Sequence, residues 1–109
     1  MEEAEFEIRE SQEGGWLRLT LVGELDMASA PVLKERLGQL RREGHDVLMD
    51  LSRLAFMDST GLEVVIQSIN ASSREGWRLS IDSNLAPQVG SLFKLTNLDR
   101  FLRTDRTDE

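Results

Sequence analysis

The chain has 109 residues, enough for one domain with a buried core and too few for two. Hydrophobic residues make up 39% and charged residues 30%, and no apolar run reaches the roughly 20 residues of a membrane-spanning helix, so the composition is that of an ordinary soluble globule. A net charge of −7 argues against nucleic acid, whose phosphates demand a surplus of Lys and Arg, and the lack of cysteine excludes disulfides, thiolate catalysis and thiolate zinc sites.

The start, "MEEAEFEIRE", is acidic and has neither the basic nor the apolar region of a secretory signal, which makes the cytoplasm the expected location. Phe6 and Ile8 alternate with glutamates, and "EGG" at 13–15 supplies a turn into "WLRLTLVGEL", where Leu17, Leu19 and Leu21 share one face of a second strand. Gly23 is expected to end its regularity. Residues 29–42 predict a helix with Val32, Leu33, Leu37 and Leu40 as its apolar stripe, opposite Lys34, Glu35, Gln39 and Arg42. Pro31 lacks an N–H and fits only a first turn, so the N-cap falls at or near Ser29 and Asp26 lies upstream, in the loop.

"DVLMDL" at 46–51, followed by Leu54, Ala55 and Phe56, reads as a central strand covered on both faces. A second helix is predicted from Thr60 to about Arg74, with Leu62, Val65, Ile66 and Ile69 inward and "EG" at 75–76 closing it. "WRLSID" at 77–82 alternates as a strand, and "NLAP" at 84–87 opens a third helix carrying Val89, Leu92, Phe93 and Leu95, with Asn97 suited to a left-handed C-cap. Phe101 and Leu102 are expected to fold back on the core, and residues 103–109, without an apolar side chain, to form a disordered tail. The fold class is therefore α/β: one domain spanning 1–109, with a mixed sheet of four or five strands, a parallel core and helices packed on it.

"FMDSTGLEVV" at 56–65 interrupts this pattern with four small or polar residues where a buried strand meets a helix. Thr60 and Glu63 fit a capping box, and Asp58 or Ser59 offers an alternative cap. A hydroxyl at Ser59 would also stand at a helix N-terminus, where free N–H groups tolerate a phosphate, so this serine suits a reversible phosphoswitch. Catalysis is disfavoured. A nucleophilic serine needs a base, and the single histidine, His45, reads as a solvated loop residue; no GxSxG elbow, P-loop or dinucleotide fingerprint is present. Asp26, Asp50 and Asp58 match no metal-ligand spacing, so neither a metal nor a cofactor is expected. Gly61, Val64 and Ser68 are predicted to lie opposite the inner stripe of the second helix, as an exposed small-residue face beside Ser59 on which a partner could dock.

"GELD" at 23–26, "LSRLAFMDSTGL" at 51–62 and "LFKLTNLDRFL" at 92–102, in this order around these elements, resemble the STAS domain of bacterial anti-sigma-factor antagonists across nearly the whole chain. The resemblance implies a non-enzymatic partner switch. In that family the unmodified antagonist binds an anti-sigma factor that is also a serine kinase of the GHKL-type ATPase fold, and so releases a sigma factor. The kinase phosphorylates the serine after the motif aspartate, here Ser59, which switches binding off, and a PPM-type phosphatase reverses the step; ATP and magnesium belong to those partners. The resemblance places Asp26 near the acceptor for kinase engagement and Asp58 beside it, with Thr60 next to both. Glu63, where many members carry a small residue, and Asn97, where glycine is common, depart from the family pattern. The alternative implied by the same resemblance is a STAS module of another assembly, such as a lipid-transport ATPase component or a stress-signalling complex.

Overall fold

The computed structural model describes residues 6–103. Strand β1 (Phe6–Glu13) and strand β2 (Trp16–Leu25) form an antiparallel hairpin over a two-residue connection in which Gly14 takes a φ of 62°, a left-handed value that glycine adopts without steric cost. Helix α1 (Ala30–Arg42) returns the chain to β3 (Val47–Asp50), which lies parallel to the first half of β2. After a short break, β4 (Leu54–Met57) continues along the second half of β2, so the inner strand anticipated at 46–56 is two pieces. The register shifts between Gly23 and Glu24, where Gly23 has a φ of 104° and β4 carries the extra residue Ala55.

Helix α2 (Ser59–Glu75), strand β5 (Leu79–Asp82) and helix α3 (Pro87–Leu95) follow, and after a 3-10 turn at Asp99–Phe101 the two-residue β6 (Leu102–Arg103) pairs with β5. The sheet runs β1-β2-β3-β5-β6, with β4 extending the ladder on β2. Only the β1–β2 pair is antiparallel; the other pairs are parallel, which is the mixed sheet with a parallel core that the strand and helix order predicts. No described helix is long and apolar enough to cross a membrane.

Alternation along the strands sorts their side chains. Leu19, Leu21, Val47, Met49 and Ile81 join Leu33, Leu37 and Leu40 of α1 and Leu62, Val65 and Ile69 of α2 in one buried cluster, which Val89 and Phe93 of α3 complete. Several expectations fail. Val32 is 53% exposed, because α1 buries Ala30 with Leu33, Leu37 and Leu40 and this stripe leaves Val32 outside. Leu95 is 83% exposed at the last residue of α3, beyond the reach of the core. Arg103, expected in the tail, pairs through its backbone with Asp82, while residues 104–109 lie outside the described residues. Asn97 does take a left-handed φ of 60°, and Leu102 packs against the core as expected, whereas Phe101, expected to join it, is exposed on the 3-10 turn.

The alternate strand positions carry a polar cluster. Arg18 donates through Nη1 to Asp50 at 2.9 Å and through Nη2 to Asp82 at 3.1 Å, tying β2 to β3 and β5, and it also pairs with Glu13 of β1. All three partners of this tie, Arg18, Asp50 and Asp82, are largely shielded from solvent, so the pairs are less screened than exposed ones. Burial alone would push the Asp50 carboxyl up; the Ser52 hydroxyl and N–H and the Arg18 guanidinium outweigh it and hold Asp50 below the usual carboxylate range.

A carboxyl depressed in the folded state contributes stability above its unfolded pKa of about 4 and loses it as pH falls through the lower folded value. Urea denaturation of the wild type should therefore show stability declining as the pH drops below about 4, and Asp50→Asn should flatten that part of the profile. Arg18→Ala should cost about 1–3 kcal/mol at neutral pH, since it strands two shielded carboxylates; a loss indistinguishable from zero would contradict this tie.

Candidate functional site at the start of the second helix

The parallel pairing of Leu25 with Met57 sets the geometry, because the residues that follow each strand, Asp26 and Asp58, leave the sheet side by side. The Asp58 N–H donates to the Leu25 carbonyl at 3.2 Å, which continues the ladder by one bond. Asp58 has extended backbone angles and its Oδ1 accepts from the Gly61 N–H at 3.0 Å, so it is the N-cap of α2. The capping box of Thr60 with Glu63 does not form. Helical geometry begins at Ser59, one residue before the expected start, which puts Thr60 inside the first turn and leaves Glu63 exposed.

Ser59 is exposed, and among the described residues its hydroxyl has no hydrogen-bond partner. It is the first helical residue, and the opening N–H groups of any α-helix lack intrahelical acceptors. Thr60 beside it is half-buried. The cap and the free hydroxyl thus fall on adjacent residues.

Asp26 organises the facing loop. Its Oδ1 accepts from the N–H groups of Ala28 at 3.0 Å and Ser29 at 3.1 Å, and its own N–H donates to Ser29 Oγ, whose hydroxyl donates to the Glu24 carbonyl at 2.7 Å. The Ser29 N–H, helped by the Ala28 N–H and the Ser29 hydroxyl, outweighs the opposing effect of burial and holds the Asp26 carboxyl below its ordinary range. Ser29 is the N-cap of α1 as predicted, yet its hydroxyl serves this turn and makes no cap bond to the helix. Pro31 does remove Asp26 from the helix, but the carboxylate is engaged in the turn before it.

The expected docking face on α2 is not exposed. Val64 is 8% exposed and sits between α1 and α2, and Gly61 is buried against β2. A Cβ on Gly61 would stand 2.5 Å from the Leu25 carbonyl oxygen and 2.7 Å from Leu25 Cγ. Helical spacing from Leu62 had placed both residues outward, whereas α2 is flanked by α1 and by the end of β2 as well as by the sheet. Exposed apolar side chains are found elsewhere, close in sequence to the two aspartates: Met27 directly follows Asp26, and Phe56 lies two residues before Asp58.

Asp50 stands apart from this site, held by Arg18 and Ser52, so the three aspartates do not converge. His45 is a half-buried loop residue, 3.5 Å from Glu43. Sequence reasoning missed Gln88. Its Oε1 accepts from the Met57 N–H at 2.9 Å and its Nε2 donates to the Met57 carbonyl at 3.1 Å, so the first turn of α3 grips the strand that delivers Asp58. A glutamine on an exposed helical position carries no local signal of such a bond.

The STAS domain profile matches residues 7–109. The chain belongs to the STAS domain family. It is 35% identical over 82 residues to a protein of Bacillus subtilis named anti-sigma-B factor antagonist, an overlap of 75% of this chain and 74% of that one. Its fold is similar to the crystal structure of an anti-sigma factor antagonist from Mycobacterium paratuberculosis, with a TM-score of 0.73 at 22% identity over 89% of this chain and 82% of that one. It is also similar to the Bacillus cell fate determinant SpoIIAA solved in its phosphorylated form, with a TM-score of 0.68 at 20% identity over 90% of this chain and 88% of that one.

Because the obstacle to a side chain at position 61 is backbone, Gly61→Ala should destabilise the STAS domain by about 1–3 kcal/mol in urea denaturation, although alanine is the better helix former. Asp58→Ala should cost about 1 kcal/mol through the lost cap, and Asp58→Asn markedly less. Equal losses for the two Asp58 variants would deny the capping role.

Proposed function

We propose that this STAS domain is an anti-sigma-factor antagonist that works by binding and not by catalysis, with Ser59 as the residue whose phosphorylation switches binding off. The observation that carries the proposal is the exposed Ser59 hydroxyl, unbonded at the first position of α2, while Asp58 alone provides the cap. The name of the B. subtilis relative supports the antagonist role. The partner in this reading is a cytoplasmic anti-sigma factor with serine kinase activity of the GHKL type, which supplies ATP and magnesium, and a PPM-type phosphatase restores the free hydroxyl.

The physical effect of the phosphate follows from its neighbours. It brings about 1.5–2 negative charges next to the capping carboxylate of Asp58, with Asp26 following the strand end paired to the one that leads into Asp58. The positive end of α2 favours an anion there by about 0.3–1 kcal/mol, so the helix start persists and the added charge is felt chiefly by whatever docks on it. Asp26, Asp58, Thr60 and the exposed Met27 and Phe56 would form the contact surface; Gly61 and Val64 act behind it, by fixing where α2 begins.

Incubation with the partner kinase and ATP, followed by intact mass, should add one phosphate to the wild type and none to Ser59→Ala; uptake that persists in Ser59→Ala would reject this acceptor. Ser59→Asp should bind the kinase about tenfold or more weakly while its melting temperature stays within a few degrees, because exposed substitutions usually change stability by no more than about 0.5 kcal/mol.

A further inference from the structure

The helices α1 and α2 enclose a groove of about 700 Å³ that is basic in a chain of net charge −7. Lys34, Gly38 and Arg42 recur at every fourth residue of α1 and so share one face; Gln67, Ser68 and Arg74 line the opposite bank on α2. Arg41 also lines the groove but is paired with Glu75 at 3.1 Å, and one carboxylate, Glu35, is present. Among the described residues Lys34, Arg42 and Arg74 have no ion-pair partner.

Basic residues in a last helical turn often do no more than offset the terminal carbonyls. That accounts for Arg41 and Arg74. It does not account for Lys34, which lies in the second turn of α1, where the helix dipole offers a cation nothing. Nor does it account for Arg42, whose Nη1 lies 3.4 Å from where a Gly38 Cβ would be, so its guanidinium reaches back one turn along the groove, away from the C-terminal carbonyls. Gly38 keeps the floor beneath it open.

We propose that this groove binds a small oligophosphate, held between Lys34, Arg42 and Arg74 with the Gln67 side chain as a further donor. The volume is in the range of small-molecule sites, roughly 300–1,000 Å³. Pro31, Ala71 and Trp77 add apolar lining at the edges, so an acidic amphipathic helix is the competing occupant, but the floor offers it little surface to bury, Leu37 and Val64 being only 3% and 8% exposed. The groove is distinct from the Ser59 surface, and the proposal stands or falls independently of the phosphoswitch.

Calorimetric titration of the full chain with sodium tripolyphosphate tests it. Saturable one-to-one binding is expected, weakening as salt is raised. The groove triple variant Lys34→Gln, Arg42→Gln, Arg74→Gln should lose about tenfold or more in affinity. A control triple, Arg9→Gln, Arg53→Gln, Arg100→Gln, removes the same net charge elsewhere and should stay within about twofold, as should Ser59→Ala. Equal losses in the two triples would mean diffuse attraction and overturn the proposal, as would loss of binding in Ser59→Ala, absence of saturable binding, or tighter binding of a glutamate-rich peptide of matched charge. Melting curves of both triples confirm that folding is retained, since all six positions are on the surface.

Discussion

The end of β2 and the first turn of α2 meet at Gly61, where the helix contributes no side chain. Gly61 packs on Leu25 so closely that a single added carbon would overlap the Leu25 carbonyl oxygen, and that same carbonyl accepts the Asp58 N–H. Leu25 is itself wholly buried, so the contact is anchored from below by the core. This approach fixes the register in which two parallel strands hand over to their loops, and with it the adjacency of Asp26 and Asp58. Interiors packed at crystal-like density do not absorb a shift at such a point, so the positions of α2 and of Ser59 follow from one backbone contact.

Division of labour between neighbours gives the site its character. Asp58 satisfies the helix start and Ser59 is left unbonded, so under the proposed function the serine gains or loses a charge without the helix losing its cap. Asp26 is constrained in a comparable way by Ser29 and Ala28. Both carboxylates are therefore held in place before any partner arrives, which lowers the ordering cost of recognition. The proposed switch would act through charge alone, on a scaffold already held by these bonds.

The sequence made the element order, the parallel core and the strand-to-helix step at Asp58 legible, because each rests on local signals: alternation in β2, the apolar run at 47–51, and Pro31 and Gly76 as punctuation. The identity of the cap was not legible, since Asp58, Ser59 and Thr60 all qualify chemically and only the backbone decides which stands outside the helix. Leu95 is exposed because α3 ends there, whereas Val32 and Val64 depart from the expected orientation for one shared reason. A helical stripe says which residues lie together, but which stripe is covered depends on what packs beside the helix, and α2 has α1, β2 and the sheet around it. The break at 51–53 that separates β3 from β4 is marked in the sequence only by the polar pair Ser52 and Arg53, and Ser52 turns back to bond Asp50 there.

The carboxamide of Gln88 has a further consequence. A peptide unit offers one N–H and one C=O, and so does this side chain, which occupies both main-chain groups of Met57 on the side of β4 away from β2. Without it, a short strand bearing the exposed Phe56 would present an unfilled rim onto which a strand from another molecule could add. One borrowed side chain thus seals the margin nearest Ser59 and keeps that neighbourhood from becoming a template for self-association.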